Sequence, residues 1–133
     1  MEELMKAIRE NILYTTESFS VSLFEGDNFD HPYHFHFENE IVIIYKSQGT
    51  ILLGDQVAEY NEGDIFILGS NVPHVFISAP DLKCAKSMVI QFNDNCFGES
   101  FFRLPEFRSI SQMLKKSKFG LRIRDNRAGI TSM

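Results

Sequence analysis

Three of the four histidines, His31, His34 and His36, fall within six residues of one another in the stretch HPYHFHFENE, and two carboxylates, Glu38 and Glu40, follow at once. The fourth, His74, lies in GSNVPHVF. Neutral imidazole nitrogen and carboxylate oxygen are the donors that Zn, Ni, Mn or Fe takes, so such a set can hold one divalent transition metal with positions left open. The same groups can line a dry pocket and hydrogen-bond a polar organic ligand. The plainest alternative is a strand that is rich in histidine for structural reasons. No nucleophile–base pair is legible. Cys84 and Cys96 are too few for a disulfide framework or a zinc knuckle, and they read as core or surface residues.

For these side chains to act together, the chain must bring them to one face. In an extended segment, residues two apart point the same way. A strand through HFHFENEIVII therefore turns His34, His36, Glu38 and Glu40 to one side and Phe35 and Phe37 to the other. Val42 and Ile44 continue the first face into apolar territory. His74 follows Glu40 by 34 residues and joins them only from a neighbouring strand. His31 sits in a loop entry, where Pro32 pushes it toward an extended conformation.

The elements around this stretch are short apolar runs punctuated by Gly, Asn, Asp and Pro at intervals of about 8 to 12 residues, the texture of an antiparallel sandwich or barrel. LLGDQVAEY predicts a hairpin with Gly54 and Asp55 in the turn. Residues 3–10 predict a short amphipathic helix. After Asn93 the pattern turns helical. FGESFFRL can make about two turns, and PEFRSISQMLKKSKFG predicts a helix with Pro105 at its start, Lys115, Lys116 and Lys118 in its last turn and Gly120 after it. Phe107, Ile110, Met113 and Leu114 form its apolar stripe, a candidate dimer seam. RIRDNRAGITSM contains no recognisable element, and the chain reads as cut rather than finished.

The 133 residues predict one domain, and 44% hydrophobic content is ordinary for a globular protein. Residues 1–102 hold 5 basic and 16 acidic side chains, whereas 103–133 hold 8 basic and 2 acidic. The acidic body is a poor match to nucleic-acid phosphates. The charged start has no signal-peptide core, and no apolar run approaches a membrane span. A reduced, cytoplasmic setting without membrane contact is expected.

HFHFENE and GDIFILGSNVPH resemble the two motifs of the cupin superfamily. The first motif maps onto His34, His36 and Glu40, and the second onto Gly63, Asp64 and His74. The match departs at Gly69-Ser70-Asn71, where the usual turn is Pro-x-Gly, and in a longer interval from Glu40 to Gly49. From about His31 to Arg124 the chain is similar to the N-terminal sensor domain of AraC-type transcription regulators, through VPHVF, VIQF and the LPEF helix. This resemblance implies a mainly β, cupin-type (jelly-roll) antiparallel barrel with a C-terminal helical segment. It implies an effector-binding barrel over 1–97, dimerisation or linker helices over 98–133, and a DNA-binding domain beyond this chain.

The expected function is therefore that of a small-molecule sensor and dimerisation module. Its effector is a small molecule, with sugars among the candidates. Its partner is a second copy, and DNA is reached only through the missing domain. His34, His36, Glu38, Glu40 and His74 are the expected ligand-binding residues, and His34, His36, Glu40 and His74 the metal ligands. No catalytic residue is assigned. The alternatives are a small metal-dependent cupin enzyme, an isomerase or dioxygenase with Glu38 as acid or base, and a free-standing sugar-binding or storage-type cupin.

Overall fold

The computed structural model describes residues 7–10, 19–93, 96, 98, 100, 103–123 and 130–132. The strands are β1 (Ile8–Glu10), β2 (Phe19–Gly26), β3 (His34–His36), β4 (Asn39–Lys46), β5 (Gly49–Leu53), β6 (Gln56–Tyr60), β7 (Ile65–Leu68), β8 (His74–Ser78), β9 (Ala85–Phe92), β10 (Leu121–Ile123) and β11 (Ile130–Ser132). They form a five-stranded sheet in the order β1-β3-β8-β5-β6 and a six-stranded sheet in the order β11-β10-β7-β4-β9-β2. Apart from the parallel β1–β3 pair, every pairing is antiparallel. This is the mainly β barrel that the strand pattern predicts.

The core lies between the sheets. Val42 and Ile44 of β4 meet Ile51 and Leu53 of β5, Tyr60 of β6, and Phe66 and Leu68 of β7. Burying each such side chain contributes about 1.5–3 kcal/mol. β4 lies between β7 and β9, with Val42 and Ile44 on its buried face and Ile41 and Ile43 half-buried on the other. The β5–β6 hairpin turns at Gly54 and Asp55 as its sequence predicts, with Gly54 at φ +58°. Ser47 is a buried non-glycine at φ +123°, a strained conformation. Its hydroxyl is held 2.9 Å from Tyr60 Oη and 2.9 Å from Ser78 Oγ, which fixes the turn from β4 into β5.

Two expectations change. The helix expected over 3–10 is not formed at Ile8–Glu10, which pairs with β3 as β1; residues 1–6 lie outside the described residues. The segment after the helix, where no element was legible, returns to the sheet. Leu121 pairs with Ile67 and Ile123 with Ile65, so β10 extends the six-stranded sheet beside β7. The two turns expected over 97–104 fall largely outside the described residues.

The expected C-terminal helix begins as a 3-10 turn, Pro105–Phe107, continues as α1 (Arg108–Lys116) and ends in a second 3-10 turn, Ser117–Phe119. No α1 residue is fully buried; Ile110 is exposed, while Phe107, Met113 and Leu114 are half-buried. The end of α1 is tied to the barrel through the loop before β8. Gly69 N–H donates to Ser117 O at 2.8 Å, and Asn71 N–H to His36 O at 2.7 Å. Ser70 N–H donates to Asn39 Oδ1 at 3.1 Å.

Candidate ligand pocket and metal site

The histidine stretch does not run as one strand. It bends at Phe37 and Glu38, so β3 belongs to the five-stranded sheet and β4 to the six-stranded one. His34 and His36 therefore face Glu40 across the barrel interior rather than beside it on one strand. His34 pairs directly with His74 on β8. Glu40 pairs with Gln91 on β9. Four residues far apart in sequence converge because two registers place them in one layer.

Each of these histidines is oriented by its own main chain. The Nδ1–H of His34 donates to Pro32 O at 2.7 Å, that of His36 to Glu38 O at 2.8 Å and that of His74 to Val72 O at 2.9 Å. A carbonyl only accepts, so Nδ1 carries the proton and Nε2 of the neutral ring carries a lone pair. His36 Nε2 lies 3.1 Å from Glu40 Oε1, and His74 Nε2 lies 3.1 Å from Glu40 Oε2. Gln91 Nε2 donates to Glu40 Oε1 at 2.9 Å.

Lone pairs facing a carboxylate require a positive charge to be shared. One source is a second proton on a ring. Burial pulls the His36 pKa down, but the hydrogen bond and charge of Glu40, then the Glu38 carbonyl and charge, leave it raised. Burial pushes the Glu40 carboxyl up, but the hydrogen bonds and charges of His36 and His74 hold it well below the usual carboxylate range. The other source is a cation. One ligand atom from each of His34, His36, Glu40 and His74 lies within 4.8 Å of the rest. His74 Nε2 is buried, and its 3.1 Å contact to Glu40 Oε2 is poorly aligned for a hydrogen bond, so the pair interacts mainly through charge. Three imidazoles locked through Nδ1, plus one carboxylate, fit a divalent transition metal in donor type and number, with the carbonyls in the orienting role that such sites use.

This cluster closes one end of a cavity of about 270 Å³. The inner faces of β2, β9 and β4 build its floor in rows. Glu40 and Gln91 form the polar row, Val42, Val89 and Ser22 the next, and Ile44, Ser87 and Phe24 the third. Phe29, Phe76 and Val75 cover the apolar rows, and His31 stands at the rim with its ring edge-on to Phe24 at 5.1 Å.

Of the expected ligand-binding residues, His34, Glu40 and His74 line the cavity, and His36 supports them from behind. Glu38 does not line it. The bend at Phe37 and Glu38 breaks the alternation, and the Glu38 carboxylate lies 3.9 Å from His36 Nδ1 instead. Gln91, Phe24, Phe29 and Phe76 escape sequence reasoning. Their apolar and amide side chains carry no chemical signature in the sequence, and only the strand registers and the course of the loop at Phe29 bring them to one cavity.

The fold and site define a small-molecule-binding β-barrel of the cupin kind. Residues 18–99 match the AraC-like ligand binding domain, and the chain belongs to that family. It is a small-molecule-sensing domain of the type found in regulators. Among solved structures, it is similar to a cupin 2 conserved barrel domain protein from Salinispora arenicola, with a TM-score of 0.52, 15% identity, and coverage of 74% of this chain and 79% of that one. ToxT from Vibrio cholerae O395, solved bound to (E)-4-(8-methylnaphthalen-1-yl)but-3-enoic acid, gives a TM-score of 0.50 and 17% identity over 75% of this chain and 38% of its own. A cupin 2 conserved barrel domain protein from Rhodopseudomonas palustris gives a TM-score of 0.49 and 17% identity over 62% of this chain and 57% of its own. The chain thus spans less than two thirds of the latter two proteins. A search of curated proteins finds no match. Among the described residues, no helix is long and apolar enough to cross a membrane.

Proposed function

We propose that this barrel is the effector-sensing part of a transcription regulator and that its effector sits in the cavity with a polar group against Glu40, His34 and His74. The observation that carries this reading is a 270 Å³ cavity with a polar end of locked histidines around a buried carboxylate and an apolar remainder. That combination fixes a small molecule by a few polar contacts and holds it by apolar burial. His36 acts as the positioning residue that holds Glu40. A divalent metal held by His34, His36, Glu40 and His74 would supply a Lewis-acidic anchor for an oxygen of the ligand. The protein's own part is to orient, to exclude water and to report occupancy. In this reading the chain is a cytoplasmic binding module, not an enzyme, and residues 98–133 link the 1–97 barrel to DNA-binding machinery encoded beyond it.

An effector shifts a regulator only by binding one of its states better than another. Binding must therefore stabilise this domain, by about 2.7 kcal/mol at a hundredfold excess over Kd. Ser22 lies on the exposed edge strand β2 and lines the cavity, so Ser22→Trp caps it with little disturbance to the core. In a thermal-shift screen of small metabolites, a hit is expected to stabilise the native protein and not Ser22→Trp. A screen in which every hit stabilises both equally would remove the cavity from the proposal.

The incompletely covered apolar stripe of the C-terminal helical segment, with Ile110 exposed and Phe107, Met113 and Leu114 half-buried, supports a second element of this reading, a homodimer through these four residues. Leu114→Glu is expected to convert the dimer to monomer in analytical ultracentrifugation. An unchanged sedimentation coefficient in a folded variant would count against α1 as the seam.

A further inference from the structure

We propose that the ligand is a compact aromatic compound bearing a hydroxyl group, a phenol or aryl alcohol, and not a sugar or a simple carboxylic acid. This inference rests on the sensor reading above and narrows its ligand. The volume sets the first bound. At about 270 Å³ the cavity lies just below the range for drug-sized ligands and holds the equivalent of about nine waters, so an organic guest has about a dozen non-hydrogen atoms.

The distribution of polar groups sets the second. Beyond the Glu40–Gln91 row and the adjoining His34 and His74, the walls are mainly Phe24, Phe29, Phe76, Val42, Ile44 and Val89, and among the described residues the polar groups between them are the Ser22 and Ser87 hydroxyls and the His31 ring at the rim. A sugar carries hydroxyls around its whole ring. In this cavity several would be buried against phenyl and branched aliphatic surface without partners, and each such group costs binding energy. A flat apolar body meets no such penalty. The phenyl rings already pair edge-on, Phe29 with Phe76 at 6.3 Å and Phe24 with His31 at 5.1 Å, and an aromatic guest can add to that arrangement.

Charge sets the third. Among the described residues, Glu40 is the only carboxylate lining the cavity, and no Lys or Arg lines it. A carboxylate guest would place its charge beside that of Glu40 with no such cation among the described lining residues to offset it. A hydroxyl has no such conflict, because it donates to the Glu40 carboxylate and accepts from Gln91 or a serine. A divalent metal in the His34, His36, Glu40 and His74 set would offset the Glu40 charge, so the discrimination against an acid belongs to the metal-free site, while the discrimination against a sugar holds with or without a metal.

Isothermal titration calorimetry on the full chain, as purified and after EDTA treatment, tests this with three probes: 4-propylphenol, 3-phenylpropionate and D-glucose. The phenol is expected to bind at least 10-fold tighter than the sugar in both preparations, and at least 10-fold tighter than the acid after EDTA treatment. Its affinity should fall about 10-fold in Glu40→Gln and vanish in Ser22→Trp. If the acid after EDTA treatment, or the sugar in either preparation, binds as tightly or more tightly, and loses binding in Ser22→Trp, the class is overturned and the sensor reading stands. If the phenol binds Ser22→Trp undiminished, the cavity is not its site and the class is overturned, while the metabolite screen judges the sensor reading. If none of the three binds, the class is overturned and the metabolite screen still judges the sensor.

Discussion

Replacing Glu40 with alanine is expected to weaken binding of a divalent transition metal by about 100-fold or more, because it removes the one anionic donor of the set. Glu40 touches His36 and His74 through different oxygens at 3.1 Å each, so no neighbour can take its place. Gln91, the next polar side chain in the row, offers a neutral amide. The double variant His36→Ala/His74→Ala should lose metal as completely. His31→Ala should keep it, since His31 stands at the rim and outside the four-residue group. Metal content by inductively coupled plasma mass spectrometry, with a zinc-chelator competition for affinity, gives the answer. Circular dichroism confirms that each variant is folded. Full metal occupancy in both Glu40→Ala and the double variant would sink the four-donor assignment.

The second large effect is on stability. A Cβ added at Gly49 would lie 2.0 Å from the carbonyl oxygen of Ile77 and 3.0 Å from the backbone nitrogen of Ala79. Both are main-chain atoms of the segment beside it, since Gly49 pairs with Ser78 on β8. A flexible side chain could swing away, but a strand cannot without breaking its ladder. Gly49→Ala is expected to cost about 3 kcal/mol, the upper end for overpacking. For a domain of this size that lowers Tm by about 10 °C. Gly54→Ala is the matched control. Its φ is +58°, but a Cβ there meets nothing within 4 Å, so only the backbone penalty of about 1–2 kcal/mol applies. Urea unfolding of the two variants separates steric from conformational cost. If Gly49→Ala is no worse than Gly54→Ala, the close approach of β5 to β8 is refuted.

Much of the barrel is legible in the sequence because strands leave a period of two and turns leave Gly, Asp and Asn. The Gly54–Asp55 hairpin and the apolar β4 can be read directly. The histidine cluster is legible as a set of donors, but its assembly is not. HFHFENEIVII looks like one continuous strand, and nothing in its composition marks Phe37 and Glu38 as the point where the chain changes sheets. That bend removes Glu38 from the cavity and turns His34 and His36 toward Glu40. The strands β1 and β10 are three residues each, too short for a period to register. Ile8 then fits a helical stripe as readily as a strand paired beside His34. The cavity's apolar rows depend on which residue of β9 faces which residue of β4, and pairing register is a property of two segments that neither carries alone.

The Gly69–Val72 loop joins the pocket to the end of α1 in a way that resists mutation. Its links are His36 O to Asn71 N, Gly69 N to Ser117 O, and the Val72 carbonyl to the His74 ring. Every loop atom in that chain is a peptide group. Side chains at positions 70 and 72 can drift without severing it, provided residue 71 keeps its left-handed turn at φ +62°, which asparagine tolerates. The link between site and helix is therefore written mostly in backbone shape, and sequences that differ at positions 70 and 72 can share it as long as they keep the His74 ring, Gly69 and the left-handed turn at 71.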